Sequence, residues 1–194
     1  MNRADALSLK PFSPLDLRSR PLVWQVAAVF AGTLLLALSS YISVPMLPVP
    51  ITMQTFAVAL VGAVYGWRLG AITIVAWLMQ GAAGLPVLAG GAAGAHHFVG
   101  PTAGYLFAFP MVGALVGWLA ERGWNGHRVG LAFANMLIGN ALCLFLGAAW
   151  LAIFTGAEQA FMLGVFPFLV GAVLKSALGA ATLRLMARGK AAAG

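Results

Sequence analysis

Lys175 is the residue hardest to explain by packing alone. It stands within an apolar run over about 162–186, and no Asp or Glu lies in any apolar run to pair with it. At about 1.5 Å per helical residue it is roughly 15 Å from either end of that run, too far to snorkel comfortably. A charge at that depth costs about 2.5–3.5 kcal/mol on insertion scales, so such a lysine usually faces a cavity or a partner. Backbone carbonyls would make it structural; the anionic group of a ligand would make it functional. Gln54 opens another apolar run, beside Thr52 and Thr55. A carboxamide both donates and accepts, which suits an amide- or urea-like ligand. The plainer use is a bond to nearby backbone at a helix start.

Asn135 and Asn140 lie in a further apolar run, where buried amides must be bonded; bonds between helices are the ordinary role. Tyr105, Trp77 and Trp150 offer flat surfaces for a ring, or anchors at a membrane interface. His96 and His97 are adjacent with no carboxylate or cysteine nearby, so no metal is expected. There is no His-Glu-x-x-His, no Gly-x-Ser-x-Gly and no phosphate-binding P-loop. No cofactor is expected. No catalytic residue is expected either; an intramembrane enzyme using His96, His97 and Lys175 is the weaker alternative.

Composition says what must position these side chains. Of 194 residues, 62% are hydrophobic and 8% charged, against about 25% charged in an ordinary soluble domain. With a mean hydropathy of +0.96, this is an all-α membrane protein whose partner is the lipid bilayer. Twenty-four glycines suit close helix packing in lipid. The net charge of +7 does not indicate nucleic acid, because the positives sit at the ends of the apolar runs. Cys143, the single cysteine, reads as core packing.

Six spans are expected, over 22 to about 42, 55–67, 69 to about 83, 105 to about 120, 129 to about 153, and about 162–186. The first is long for a signal peptide and reads as a transmembrane helix. The second and third are shorter than the roughly 20 residues of a full crossing. The reading therefore divides the chain into an N-terminal tail (1–21), a transmembrane substrate-binding domain (22–186) and a C-terminal tail (187–194). Arg68, Arg122, Arg128, Arg184, Arg188, Lys190 and the N-terminal tail then share one side, and the other has no Lys or Arg. The positive-inside rule makes the first side, with both termini, cytoplasmic.

Two uncharged loops fall on the opposite side. One is 44–54, with Pro45, Pro48 and Pro50, which cannot be helical and reads as a stiff lid. The other is 84–104, where Gly90, Gly91, Gly94, Gly100 and Gly104 argue against a continuous helix. In the first span Ala27 and Ala31, with Ala28 and Gly32 beside them, form small faces for close packing, within the bundle or against a membrane partner.

Val-Pro-Ile-Thr-Met-Gln-Thr-Phe (49–56), Gly-Leu-Pro-Val-Leu-Ala-Gly-Gly (84–91), Gly-Pro-Thr-Ala-Gly-Tyr-Leu (100–106) and Pro-Phe-Leu-Val-Gly-Ala-Val-Leu-Lys (167–175) together resemble the BioY family. Those proteins are biotin-specific substrate-capture subunits, or S components, of energy-coupling factor transporters. The resemblance covers about 22–185. It implies six helices in the cytoplasmic (inner) membrane, biotin held near the outer face under the two loops, and a membrane coupling protein with cytoplasmic ATPases as partners. It carries ligand contact to Gln54, the Gly100–Tyr105 stretch and Lys175. Thr52, Thr102, Asn135 and Asn140 are further candidates, with Pro45, Pro48, Pro50, Gly91 and Gly100 in the lid loops. Ala27 and Ala31 match the docking face for the coupling protein. Another vitamin or a small heterocyclic carboxylate is the alternative ligand. One position departs: the last motif usually reads Gly-Asp-x-x-Lys, and Ala172 stands where the acid would pair with Lys175.

Overall fold

The computed structural model describes residue 17 and residues 20–192, with side chains up to 189. Most of the tail expected over 1–21, including Arg3, Lys10 and Arg18, lies outside the described residues, as does the side chain of Lys190. The fold is mostly helical, as a chain in hydrocarbon must be to satisfy its backbone internally. Five helical stretches are long and apolar enough to cross a membrane: 22–41, 54–82, 103–121, 129–155 and 157–189, the last interrupted near Val165.

Helix α1 (Leu22–Tyr41) starts behind Pro21 and ends where the chain becomes extended at Ile42. Strand β1 (Ser43–Val44) pairs antiparallel with β2 (Ile51–Thr52), Ser43 opposite Thr52 and Val44 opposite Ile51. Pro45, Pro48 and Pro50 occupy the connection between the strands, where a missing N–H breaks no ladder bond. The stretch is thus a short β-hairpin, in keeping with an extended segment.

Helix α2 (Gln54–Ala82) carries a break at Gly66, with φ 79° and ψ 170°. That conformation is open essentially to glycine alone. A methyl on Gly70 would fall 2.9 Å from the Cα of Gly62, although residues eight apart on a straight helix are about 12 Å apart. The two arms therefore fold back on each other. They correspond to the runs expected over 55–67 and 69–83, with the turn at Gly66 rather than at Arg68.

Helix α3 (Ala103–Glu121) lies against this turn. A methyl on Gly117 would sit 2.6 Å from the Trp67 nitrogen and 2.7 Å from the Gly62 carbonyl oxygen. One on Gly62 would overlap the backbone of Gly113. Backbones this close are the contact by which small residues hold helices together in lipid. Helix α4 (Val129–Thr155) packs on α3 and on α6.

The last expected span, from about 162, needs correction. A short helix α5 (Ala157–Gly164) ends at Val165, a 3₁₀ turn follows over Phe166–Phe168, and α6 is Leu169–Ala192. Val165 is non-helical (φ −123°, ψ −58°), and Pro167 supplies no N–H to carry the ladder through. Lys175 lies about 9 Å from the first residue of α6 at about 1.5 Å per residue, within the spanning stretch 157–189. Residues 187–192, expected as tail, continue α6. Trp77, Ile74, Leu36, Leu88, Met136, Leu151 and Leu183 are fully buried in the core, while Leu22, Val23, Trp24, Phe30 and Leu34 of α1 face outward.

Replacing Gly66 by alanine is expected to destabilise the protein by about 1–3 kcal/mol, the usual cost of a non-glycine residue there. Gly130→Ala, at a helical position open to solvent or lipid, should leave stability within about 0.5 kcal/mol of the parent. Thermal unfolding of the purified variants in detergent measures both; equal midpoints would show that Gly66 is unstrained.

Candidate functional site

A cavity of about 530 Å³ lies beneath the two uncharged loops. Pro45, Pro48 and Pro50 from the β-hairpin form one wall, with Met46, Leu47 and Val49. Gly90, His96, His97, Gly100 and Pro101 come from the glycine-rich loop; Thr102, Tyr105, Leu106 and Phe109 come from the start of α3. Thr52, Gln54 and Thr55 enter from the start of α2, Cys143 and Leu144 from α4, and Phe168 and Lys175 from the α5–α6 junction.

Side-chain bonds to backbone hold the loops over this space. Trp77 Nε1 donates to the Val87 oxygen at 2.9 Å, Trp150 Nε1 to the Gly100 oxygen at 3.0 Å, and the Tyr41 hydroxyl to the Pro86 oxygen at 2.5 Å. The Gly94 N–H reaches the Gly81 oxygen at 2.8 Å. A glycine-rich segment has little side-chain packing of its own, so these bonds stand in for it. Trp77 and Trp150 therefore act on the loop backbone, and neither lines the cavity.

Lys175 is 8% exposed. Its Nζ donates to the Thr52 carbonyl oxygen at 3.1 Å and to Thr55 Oγ1 at 2.8 Å, joining α6 to the hairpin exit and the start of α2. Both the backbone-bonded and the cavity-facing alternatives are thus met, and an ammonium keeps a third N–H. Gln54 is 3% exposed. Its Oε1 accepts from Thr52 Oγ1 at 3.0 Å, and its backbone N–H reaches the same hydroxyl at 3.3 Å. Its Nε2 has no partner. A buried unmade donor costs about 1–3 kcal/mol, which a ligand acceptor would recover. Ala172 is buried and Ser176 Oγ donates to its carbonyl at 2.7 Å, so the lysine has no acid one turn below it.

Tyr105 donates its hydroxyl to the Gly164 oxygen at 2.9 Å and stacks on Phe168, with ring centroids 6.4 Å apart. A methyl at Gly147 or Gly164 would overlap this ring, so both glycines make room for it. The cavity wall is thereby tied to the end of α5.

Of the residues singled out in the sequence, Gln54, Thr52, Thr102, Tyr105, Lys175, Pro45, Pro48, Pro50 and Gly100 line the cavity. Gly91, Asn135 and Asn140 do not. Gly91 lies against Tyr41. Asn135 Nδ2 donates to the Val116 and Trp124 oxygens, both at 3.0 Å; Asn140 Nδ2 donates to the Met136 oxygen at 3.0 Å and to Ser176 Oγ at 3.2 Å. These amides join α4 to its neighbours. Ala27 and Ala31 are exposed on α1, whereas Ala28 and Gly32 are buried against the bundle. Phe109, Leu144 and Phe168 line the cavity without having been anticipated; in sequence they are ordinary apolar residues of apolar runs. Cys143, read as core packing, is buried and also borders the cavity.

The His96 and His97 rings lie with centroids 4.1 Å apart, tilted by 39°, on the 3₁₀ turn Ala95–Phe98. Partial burial first, and the charge of His96 second, lower the His97 pKa below the ordinary imidazole value. No group of three or more potential metal-ligating side chains occurs among the described residues.

Residues 9–192 match the BioY family. The chain belongs to the BioY family. One relative, from Pyrococcus horikoshii and named "Probable biotin transporter BioY", is 37% identical over 79% of this chain and 90% of its own length. "Biotin transporter BioY2" of Lactococcus lactis is 32% identical over 84% of this chain and 92% of its own. Among solved structures, the S component for biotin from an ECF-type ABC transporter superposes with a TM-score of 0.75 at 24% identity, covering 88% of this chain and 95% of that one. That likeness shows a shared fold. With its apolar helices, this BioY-family chain is a multi-pass membrane protein.

Removing the Tyr105 hydroxyl leaves the buried Gly164 carbonyl unpaired, so Tyr105→Phe is expected to lower stability by about 1–3 kcal/mol. Unfolding of the purified variant in detergent checks this, and an unchanged midpoint would show that the carbonyl finds another donor.

Proposed function

We propose that this BioY-family chain captures biotin at the outer face of the cytoplasmic membrane, as the S component of an energy-coupling factor transporter. The observation that carries the reading is the polar end of the cavity. There the unpartnered Gln54 Nε2 and the carboxylate-free Lys175 are both buried, and both are donors. Biotin brings a neutral ureido oxygen, two ureido N–H groups, an apolar thiolane and a carboxylate tail. A single carbonyl oxygen has two lone pairs and is satisfied by two donors. A buried carboxylate needs more donors than this end supplies and is far costlier to desolvate. The ureido oxygen therefore goes to Gln54 and Lys175. The hydroxyls of Thr52 and Thr102 serve the ureido N–H groups, and Tyr105 and Phe109 flank the ring. Asn135 and Asn140 stay as bonds between helices. The relatives' names and the family, one of transporters rather than enzymes, point the same way.

Topology follows from the same charges. Counting the two arms of α2 separately gives six membrane segments. Arg68, Arg122, Arg128, Arg184 and Arg188 gather at the end away from the cavity; there the Trp67 N–H meets Glu121 Oε1 at 3.2 Å and Arg184 meets the Gly126 oxygen at 3.4 Å. That end, with both termini, faces the cytoplasm. Ala27 and Ala31 on the open side of α1 dock a membrane coupling protein, through which cytoplasmic ATPases act on the capture step.

Lys175→Met is expected to weaken biotin binding about 10- to 100-fold, the worth of a charged hydrogen bond, while membrane insertion is unchanged. Equilibrium binding to the purified chain measures this, and undiminished affinity removes Lys175 from the site. A panel of other vitamins and small heterocyclic carboxylates competed against labelled biotin tests the alternative ligand class; stronger competition by any of them than by biotin would replace biotin. Replacing Pro45, Pro48 and Pro50 by alanine is expected to weaken capture, because the freer hairpin loses more entropy on closing. The same affinity and on-rate would make the hairpin a mere connector. Leucine at Ala27 and Ala31 should abolish ATP-driven uptake in cells yet spare binding, and normal uptake would move the docking face elsewhere.

A further inference from the structure

We infer that His96 and His97 form an anion subsite at the mouth of the cavity, which takes the ligand's carboxylate when an imidazole holds a second proton and so couples capture to proton uptake. This rests on the reading of a ligand with a neutral ureido end and a carboxylate tail. With the ureido oxygen on Gln54 and Lys175, the tail points away from α6 and toward the loops. Both histidines line the cavity there; His96 is exposed and His97 half-buried. A carboxylate near an opening keeps part of its hydration, so two donors suffice where they would not in the interior.

No other group near that mouth suits the role. The turn Ala95–Phe98 packs against α2 and α3. The charged residues of those helices are Arg68, beside the Gly66 turn, and Glu121, eighteen residues and about 27 Å along α3 from Ala103. The other titratable groups on the cavity are Tyr105, Cys143 and Lys175. The tyrosine and the lysine are already bonded to Gly164 and to Thr52 and Thr55. Glu158 sits in the first turn of α5, and among the described residues no lysine or arginine lines the cavity besides Lys175.

His97 takes a second proton less readily than an ordinary imidazole, through partial burial first and its neighbour His96, 4.1 Å away between tilted rings, second. A carboxylate laid against them favours the charged form. Binding therefore takes up a proton, and affinity falls as pH rises from the His97 pKa of the empty site to its raised value in the complex.

Calorimetric titration of the purified full chain in nanodiscs, with biotin and with its uncharged methyl ester, tests this between pH 6 and pH 8. In buffers of different ionisation enthalpy it also counts the protons taken up. For the parent chain, biotin affinity is expected to tighten about fivefold or more from pH 8 to pH 6 with proton uptake, while the ester stays flat. In the His96→Gln/His97→Gln chain, biotin should bind with a flat profile and near the ester's affinity, and unchanged ester binding shows that the chain is folded. A flat profile for the parent overturns the inference. So does acid dependence that survives in the double variant, or a biotin-over-ester preference that vanishes in Lys175→Met instead. Binding of neither ligand to the parent at any pH would overturn the biotin reading itself, and the inference with it.

Discussion

The bond set of Lys175 is the constraint around which the rest is arranged. A buried ammonium must be hydrogen-bonded, and among the described residues no carboxylate is bonded to this one. Its partners are the Thr52 carbonyl and the Thr55 hydroxyl, which belong to the end of the proline hairpin and the start of α2. One side chain of α6 thus fixes where the hairpin exits, where α2 begins and how Gln54 is presented. With Ala172 below it, the lysine has no fixed anion, and its remaining N–H and Gln54 Nε2 define the donor-rich end of the cavity.

Such an arrangement needs helices that do not drift. The glycine contacts at the other end supply this. Gly62, Gly70, Gly113 and Gly117 bring the two arms of α2 and the face of α3 to backbone contact, and Gly66 turns the chain between the arms. Where lipid tails are as apolar as the side chains, close backbone packing replaces the hydrophobic effect as the force between helices. The cavity end is built from loops hung by Trp77, Trp150 and Tyr41 on backbone carbonyls. A rigid base and a loop-covered mouth suit a protein that must hold a ligand and let it pass.

Much of this was legible before any coordinates. The prolines predict an extended segment, and the chain forms a short β-hairpin there. The blocks at 49–56, 84–91, 100–106 and 167–175 predict the family, which the match over residues 9–192 bears out. Lys175 and Gln54 stood out because polar groups in apolar runs demand partners. Asn135 and Asn140 stood out for the same reason, yet they bond to backbone and to Ser176 between helices. Sequence can register that an amide needs a partner but not which side of the helix the partner is on. Phe109, Leu144 and Phe168 gave no signal, since a cavity wall and a packed core use the same side chains.

By itself the sequence determined the membrane class, the helical content, the family and the residues that need partners, because composition, charge placement and proline chemistry are local properties. The tertiary structure decided what lies between those residues. It moved the start of the last long helix past Pro167, which leaves Lys175 about 9 Å from the start of α6 at about 1.5 Å per residue. It also set Ala28 and Gly32 inward and Ala27 and Ala31 outward on α1, and brought His96 and His97 to the cavity that Lys175 enters. Those are relations between segments far apart in the chain. They are fixed by which surfaces pack, and no pattern within one segment records them.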